Sequence, residues 1–389
     1  MDLLKEAKDL ESHLIELRRM FHRFPEVSEH EVETADRILK ELKDIGGYDI
    51  KTQVGGYGIL AEIKGDRPGK MVCLRADIDA LSVTEDTGLP FASENEGVMH
   101  ACGHDHHITI LLGAARLLKA HKDDLKGTVR LIFQPAEELS PLGGARRMIK
   151  EGALQGADAV FGLHVWPNLP TGKVGVRAGA QMAASDRFSV DFIGETSHGA
   201  MPDQGNDALI AGCQFVNAIQ TVISRNVDPM ESGVVTIGVF QAGSRYNVVP
   251  GSCHMEGTVR SFDPAIRKRM EKRIRDLFEG TKTSFAIEGT LEYDHGYDAV
   301  LNDPHMARYV LTEAEELFGK GETIWLDKPA MTAEDFAFYL KEVPGAFYWL
   351  GTTPEGADVW PLHSAHYQGN EDVLHRGAAL MTKLALDFC

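Results

Sequence analysis

The chain has 389 residues, a formal net charge of −18 and 43% hydrophobic residues. That length exceeds what one hydrophobic core usually serves, so two domains are expected in one subunit, and the apolar share is enough to build their cores. The acidic balance argues against a nucleic-acid binder, which needs a basic face to neutralise phosphates, and no apolar run reaches the roughly 18 to 20 residues of a membrane helix.

The opening MDLLKEAKDLESHL alternates charges where a signal peptide would be apolar, so a soluble, cytoplasmic protein is expected. Five cysteines, Cys73, Cys102, Cys213, Cys253 and Cys389, are odd in number and lack paired spacing. That pattern fits a reducing compartment better than a disulfide framework.

In chain order, Leu14, Leu17 and Phe21 lie at helical spacing, and Val32, Ala35, Leu39 and Leu42 repeat the pattern in a second packing helix. Four later segments are apolar runs that end in polar residues: MVCLRADIDAL (71 to 81), VRLIFQPAEE (129 to 138), ADAVFGLHVW (157 to 166), and FYWLGTTPEG followed by PLHSAHY (347 to 367). Between the first two lies ITILLGAARLLKAH (108 to 121), apolar at helical spacing. Strand, helix, strand is the order of a parallel unit, which gathers strand C-termini along one sheet edge where α/β proteins keep their sites. Asp77, Asp79, Glu137, Glu138, His164 and His363 are therefore expected to converge with the cluster MHACGHDHH (99 to 107).

The stretch from 184 to 296 reads differently. DRFSVDFIG alternates as a half-buried strand, and NDALIAGCQFVNAIQTVISRN is an amphipathic helix behind an Asn/Asp cap. VVTIGVFQAG and CHMEGTVRSFD follow as strands. DPAIRKRMEKRIRDLFEG is a helix with Asp263 as N-cap, Pro264 at its first position, and Ile266, Met270, Ile274 and Leu277 along one face. KTSFAIEGTLEYD closes the set, giving the β-α-β-β-α-β order of a ferredoxin-like unit. The expected architecture is α/β: a three-layer α/β/α catalytic domain with a mostly parallel mixed sheet (1–183 and 297–389), and an inserted ferredoxin-like α+β lid and dimerisation domain (184–296).

A catalytic metal site needs N, O or S ligands from several segments and an open position for water. Cys102 and His104, two residues apart on a turn, can face one ion, although any lone histidine here reads first as a surface residue in a helix-capping loop. Glu137 and Glu138 follow a strand and a proline, so an extended chain would send them to opposite sides, one to ligate and one to act as a base. A solvated acidic turn is the alternative. His164 ends an apolar run, where a buried neutral histidine is common, and His363 sits in a Pro-flanked loop. Asp77 and Asp79, two residues apart in a strand, face one side and suit carboxylates that orient a ligand or base. In the inserted domain His198, Asn247 and Arg260 are each weak signals.

MHACGHDHH, FQPAEE, GLHVWPNLPTG, SHGAMPD, NVVPG, GTVRSFD, AEDFAFYL and PLHS, in this order, resemble the dinuclear metallohydrolases that include aminoacylase, hippurate hydrolase, plant auxin-conjugate hydrolase and N-acetyldiaminopimelate deacetylase. The resemblance runs from HRFPE (22 to 26) almost to the C-terminus. It implies Cys102, His104, Glu138, His164 and His363 as ligands of two divalent ions, zinc or manganese with cobalt an option, and Glu137 as general base. By the same resemblance Asp79, with Asp77 competing, steadies the metal site, and His198 reaches into a partner subunit's site to hold the oxyanion. Asn247 and Arg260 receive the substrate carboxylate, while His100, His106 and His107 are not ligands. Asp203 stands where the family's GGHGA-x-PH pattern ends in His, and Ala333 replaces the Ser of SEDF; both leave the ligand set intact.

The implied activity is hydrolysis of the amide of an N-acylated (acetyl or aroyl) amino acid by a homodimer joined through the inserted domain. A carboxypeptidase or dipeptidase acting on short peptides is the nearest alternative. A thiol hydrolase using Cys102 and a non-catalytic metal-binding protein are the others.

Overall fold

The structure is a computed structural model that describes residues 2–389. Helices α1 (Leu3–Asp9), α2 (Glu11–Arg23) and α3 (Val32–Ile45) open the chain. Leu14 and Phe21 of α2 are buried as the spacing requires, with Leu17 packed at their margin. In α3 the buried stripe is Ala35, Ile38 and Leu42, whereas Val32 is exposed and Leu39 only partly buried. The expected face is thus turned slightly, with Ala35 and Leu42 buried as the spacing requires and Ile38 buried in place of Leu39.

Strands β1 (Asp49–Val54), β2 (Gly58–Lys64) and β3 (Arg67–Asp77) precede helix α4 (His104–Ala120). Then come β4 (Lys126–Gln134), α5 (Ala145–Lys150), β5 (Ala159–Pro170), β6 (Val174–Val176) and β7 (Gly179–Met182). After a second unit, β14 (Val300–Asn302), α8 (Pro304–Phe318), β15 (Thr323–Trp325), α9 (Ala337–Glu342), β16 (Gly345–Thr353) and α10 (Leu374–Phe388) complete the first. Its sheet has the order β1-β2-β4-β3-β5-β16-β6-β15. The central strands β4, β3, β5 and β16 run parallel, and antiparallel pairs join β1 to β2, β2 to β4 and β6 to β16.

Parallel central strands must be covered on both faces. One face carries α4, α8 and α10 on Val72, Leu74, Val129, Leu131, Phe161 and Tyr348. On the other, Phe336 packs on Phe347 at 4.8 Å between ring centres, next to α9, and Arg146 of α5 lies over Phe338. These are the three layers. The register sets Asp77 opposite Gln134 and His164 opposite Trp349, and β3 meets β5 at Arg75 and Gly162, two residues before Asp77 and His164. One row across the parallel strands therefore carries both polar side chains.

The second compact unit comprises 182–299 with 330–334. It contains β8 (Ala184–Ile193), β9 (Ser197–His198), α6 (Ala208–Asn226), β10 (Gly233–Ala242), β11 (Val248–Val249), β12 (Ser252–Ser261), α7 (Pro264–Phe285) and β13 (Glu288–His295). The antiparallel sheet order β10-β12-β8-β13 is ferredoxin-like, with β9 and β11 forming a separate ribbon. Asp207 and Asp263 cap α6 and α7 by accepting two backbone N–H groups each, satisfying donors that a helix start leaves open. Phe215, Ile219, Met270, Ile274 and Phe278 close over Phe188, Val190 and Phe192; Phe278 is more deeply buried than the expected Leu277. Residues 330–334 join this unit because Ala183 N–H donates to the Thr332 carbonyl at 2.9 Å and Met182 bridges to Ala330.

Gly162 leaves room for two aromatic rings: an added Cβ would meet Phe336 Cε2 at 2.7 Å and Phe347 Cδ2 at 3.0 Å. Gly162→Ala is expected to cost about 1–3 kcal/mol by overpacking, read as a lower denaturation midpoint.

Candidate metal centre

Three loops and one strand meet beyond the sheet edge. Helix α4 begins at His104, four residues before the apolar run that marked it, so the histidine cluster forms its first turn. His100, His104, His106 and His107 are all buried, which removes the reading of an exposed capping loop. Gly103 turns the chain between Cys102 and His104 with φ +82°, and a Cβ there would lie 2.5 Å from Val165 Cγ2. Only glycine combines that backbone with that closeness.

Glu137 and Glu138 do not lie in extended chain. After β4, Ala136 adopts φ +54° and the two glutamates occupy a turn, because the buried Glu31 accepts the Ala136 N–H at 2.8 Å and holds the bend. Burial and the nearby Asp79 push Glu31 up to about 7. His363, also in left-handed backbone at φ +67°, is brought in by its N–H bond to the Ala101 carbonyl at 2.8 Å. Its side chain is 53% exposed, making it the open edge of the site.

The five candidate ligands form a chain of contacts. His164 Nε2 is 3.4 Å from Cys102 Sγ, which is 3.3 Å from His363 Nε2. His363 Nε2 is 3.2 Å from Glu138 Oε1, and Glu138 Oε1 is 4.0 Å from His104 Nε2. Cys102, His104 and His164 form one group able to hold a cation, and Cys102, Glu138 and His363 another, so the thiol belongs to both. The buried Glu137 groups with His104 and Glu138. All five candidate ligands and the candidate base are thus brought together.

Each ring is oriented from behind. His104 Nδ1 donates to the Asp79 carbonyl at 2.9 Å, and His164 Nδ1 donates to the Val165 carbonyl at 2.7 Å, turning both Nε2 atoms toward the site. His104 Nε2 and Glu138 Oε1 are buried and have no hydrogen-bond partner among the described residues. Asp79 Oδ2 accepts from Ser28 Oγ at 2.6 Å and from the Glu138 N–H at 2.9 Å, while its Oδ1 lies 3.3 Å from His104 Nδ1. Asp79 is beyond the end of β3, so it meets the site through a bend and not by strand alternation with Asp77.

Asp77 takes the other side. Its Oδ1 accepts from His107 Nδ1 at 2.5 Å, its Oδ2 accepts from Arg75 Nη1 at 2.7 Å, and that oxygen is 3.6 Å from His104 Nε2. Arg75 Nη2 also reaches Asp335 at 3.0 Å, and Gln134 binds both Arg75 and Asp335. Ser28, Glu31, Arg75, Gln134 and Asp335 carried no spacing signal in the sequence; each acts across the fold. His100 and His106 stand apart, His106 against Asp105, which Arg18 and His22 also bind.

The electrostatics follow from burial and from the charges of close neighbours. Burial opposes a charge on His104, but Asp77 and Asp79 outweigh it and push the ring up to about 10. Burial would raise Asp77, yet His104, His107 and Arg75 hold it well below the usual carboxylate range. Burial, then His107, holds His164 well below the usual imidazole value, so it is neutral. Burial and the Glu138 and Glu137 carboxylates push the Cys102 thiol well above its ordinary value. A nucleophilic cysteine needs the reverse. A thiol, imidazole nitrogens and a carboxylate packed together instead match the donor set of a divalent cation.

In the second unit His198 is exposed on β9, and its Nδ1 accepts the Ala200 N–H at 3.0 Å. Asn247 adjoins it: its carbonyl accepts the Gly199 N–H at 2.8 Å, and its Oδ1 is buried without a partner among the described residues. Arg260 lies on β12, in the four-stranded sheet, bonded to Thr258 Oγ1 and the Val259 carbonyl, and burial lowers its pKa.

A family model described as Peptidase family M20/M25/M40 matches residues 73–387. The chain belongs to that family. It is 42% identical over 352 residues to N-acetyl-L-cysteine deacetylase of Bacillus subtilis (strain 168), covering 90% of this chain and 82% of that one. It is 35% identical to thermostable carboxypeptidase 1 of Saccharolobus solfataricus, covering 100% and 99%. Its fold matches the crystal structure of the Bacillus subtilis YXEP protein, described as a dinuclear metal-binding peptidase, with TM-score 0.85 and 35% identity over 98% of both chains.

Arg75→Met is expected to leave the buried Asp77 and Asp335 without their shared cation, at a cost of about 3–5 kcal/mol, measured by urea denaturation of the full chain.

Proposed function

We propose that this chain hydrolyses the amide bond of N-acyl amino acids, releasing a carboxylic acid and a free amino acid. The observation that carries the reading is the unbroken run of donors His164, Cys102, His363, Glu138 and His104, with the buried Glu137 beside it. Those five residues are assigned as ligands of two divalent ions. One thiolate, three imidazoles and a carboxylate suit zinc or manganese, with cobalt also accepted. When bound, such ions lower the pKa of a water and polarise the substrate carbonyl.

The chain's own residues supply the rest. Amines are poor leaving groups, so a proton must move from the attacking water to the departing nitrogen. Glu137 carries it, a role that needs a carboxylate within reach of both atoms. Asp79 holds His104 from one side and the Glu138 backbone from another. His198 is assigned as the donor to the carbonyl oxygen as its negative charge grows, and Asn247 and Arg260 as the groups that receive the substrate carboxylate. The second unit is the lid and dimer contact, through which His198 serves a partner subunit's site. All five cysteines are free, as the cytoplasm keeps them, and among the described residues no helix is long and apolar enough to cross a membrane.

The similarity to a carboxypeptidase supports a second reading, since a peptide is itself an N-acylated amino acid. A panel of N-acetyl amino acids, N-benzoyl amino acids and dipeptides separates the two: higher kcat/KM on the acylated amino acids is expected, and preference for dipeptides transfers the assignment. Activity is expected to vanish on chelation and return with zinc, manganese or cobalt. Survival of chelation would instead favour the Cys102 thiol mechanism.

Glu137→Ala is expected to keep its metal content by elemental analysis while kcat falls about 10²- to 10⁴-fold. Retained turnover removes Glu137 as the base.

A further inference from the structure

We propose that His107, which is not one of the five donors, is the positioning residue for His164, acting through the backbone of Val165. The inference rests on the assignment of His164 as a ligand and adds a residue to which no role has yet been given.

The argument starts from the end of a strand ladder. The pairing of β3 with β5 stops at Arg75 and Gly162, while β16 continues to pair with β5 past His164 and Val165. In a strand, the N–H and C=O of one residue point to the same side. Val165 therefore turns both groups toward the side that β3 has left, and both are buried with no strand to meet them. Two histidines replace it. The Val165 N–H donates to His107 Nε2 at 2.9 Å, and the Val165 carbonyl accepts from His164 Nδ1 at 2.7 Å.

This arrangement fixes protons. Because His107 Nε2 is an acceptor, its hydrogen lies on Nδ1, where it is donated to Asp77 Oδ1 at 2.5 Å. Asp77 is in turn held by Arg75 at 2.7 Å. Donation converges on the Asp77 carboxylate, from Arg75 on one side and from Val165 through His107 on the other. The His107 ring also stands edge-on to the His164 ring, 4.6 Å between centres at 75°, blocking rotation of the latter. His164 is left in one tautomer, with its Nε2 lone pair 3.4 Å from Cys102 Sγ. Remove His107 and the Val165 N–H becomes a buried, unsatisfied donor, a cost the strand relieves by shifting; the carbonyl that orients His164 shifts with it.

The test uses the full chain labelled with 15N-histidine, as wild type, His107→Leu and His107→Gln; glutamine retains both an acceptor and a donor. Imidazole 15N spectra after chelation are expected to show the Nδ1–H tautomer for both His107 and His164 in the wild type. They are expected to show the same His164 tautomer in His107→Gln and a mixed one in His107→Leu. On Co2+ titration, His107→Leu is expected to bind about 10- to 100-fold more weakly with altered visible absorption, and His107→Gln to recover most of both. A proton on Nε2 of His107, or an unchanged His164 tautomer and Co2+ spectrum in His107→Leu, overturns the proposal. Should His107→Leu fail to fold, the wild-type tautomers and the glutamine variant decide it, and a glutamine variant as impaired as a cavity mutant counts against. Loss of the hydrolase assignment through an inactive metal-loaded wild type leaves these tautomer readings intact.

Discussion

A buried thiol, imidazole nitrogens and a carboxylate linked by successive contacts of 3.2–4.0 Å is the constraint on which the rest of the first unit depends. Polar groups crowded together in a low-dielectric interior would separate in a flexible chain. Here each is gripped by an atom that does not face the cluster. His104 and His164 give their Nδ1 hydrogens to main-chain carbonyls, Asp79 ties the Glu138 backbone to Ser28, and His363 is drawn in by the Ala101 carbonyl. The fold thus holds together groups whose crowding a divalent cation would balance.

That task explains why so many charges are interior in a unit whose sheet could have been wholly apolar. Arg75, Asp77 and Asp335 form a buried network with Gln134, and Arg18 reaches Asp105 at 2.8 Å behind the first turn of α4. Buried pairs of this kind rarely add net stability over an apolar packing. Their effect is geometric, since a carboxylate satisfied on both oxygens has one orientation. The second unit, by contrast, is a plain sandwich of two helices over four strands, with a continuous apolar core.

Strained backbone appears at the same place. Ala136 and His363 both take positive φ, a region L-residues enter at a cost of about 1–3 kcal/mol. Ala136 immediately precedes the two glutamates and His363 is itself a candidate ligand, and both are over-determined: Glu31 fixes the first and the Ala101 carbonyl the second. An extended chain after Pro135 would separate Glu137 from Glu138 by alternation alone. The turn instead keeps both near His104.

The amino-acid sequence by itself determined the elements and the donors. Periodicity placed α6 and α7 with their Asp207 and Asp263 caps, and alternation and apolar runs placed β3, β4, β5 and β16, because those signals act over a few residues. Clustering of Cys102 with four histidines, and of two glutamates after a strand, marked the chemistry for the same local reason. Only the tertiary structure decided which face of α3 is buried, that α4 begins within the histidine cluster, that Glu137 and Glu138 share a turn, and that Ser28, Glu31 and His107 brace the centre. Those facts depend on where a ladder stops and which distant N–H lacks an acceptor, and no spacing within one segment encodes a partner from another.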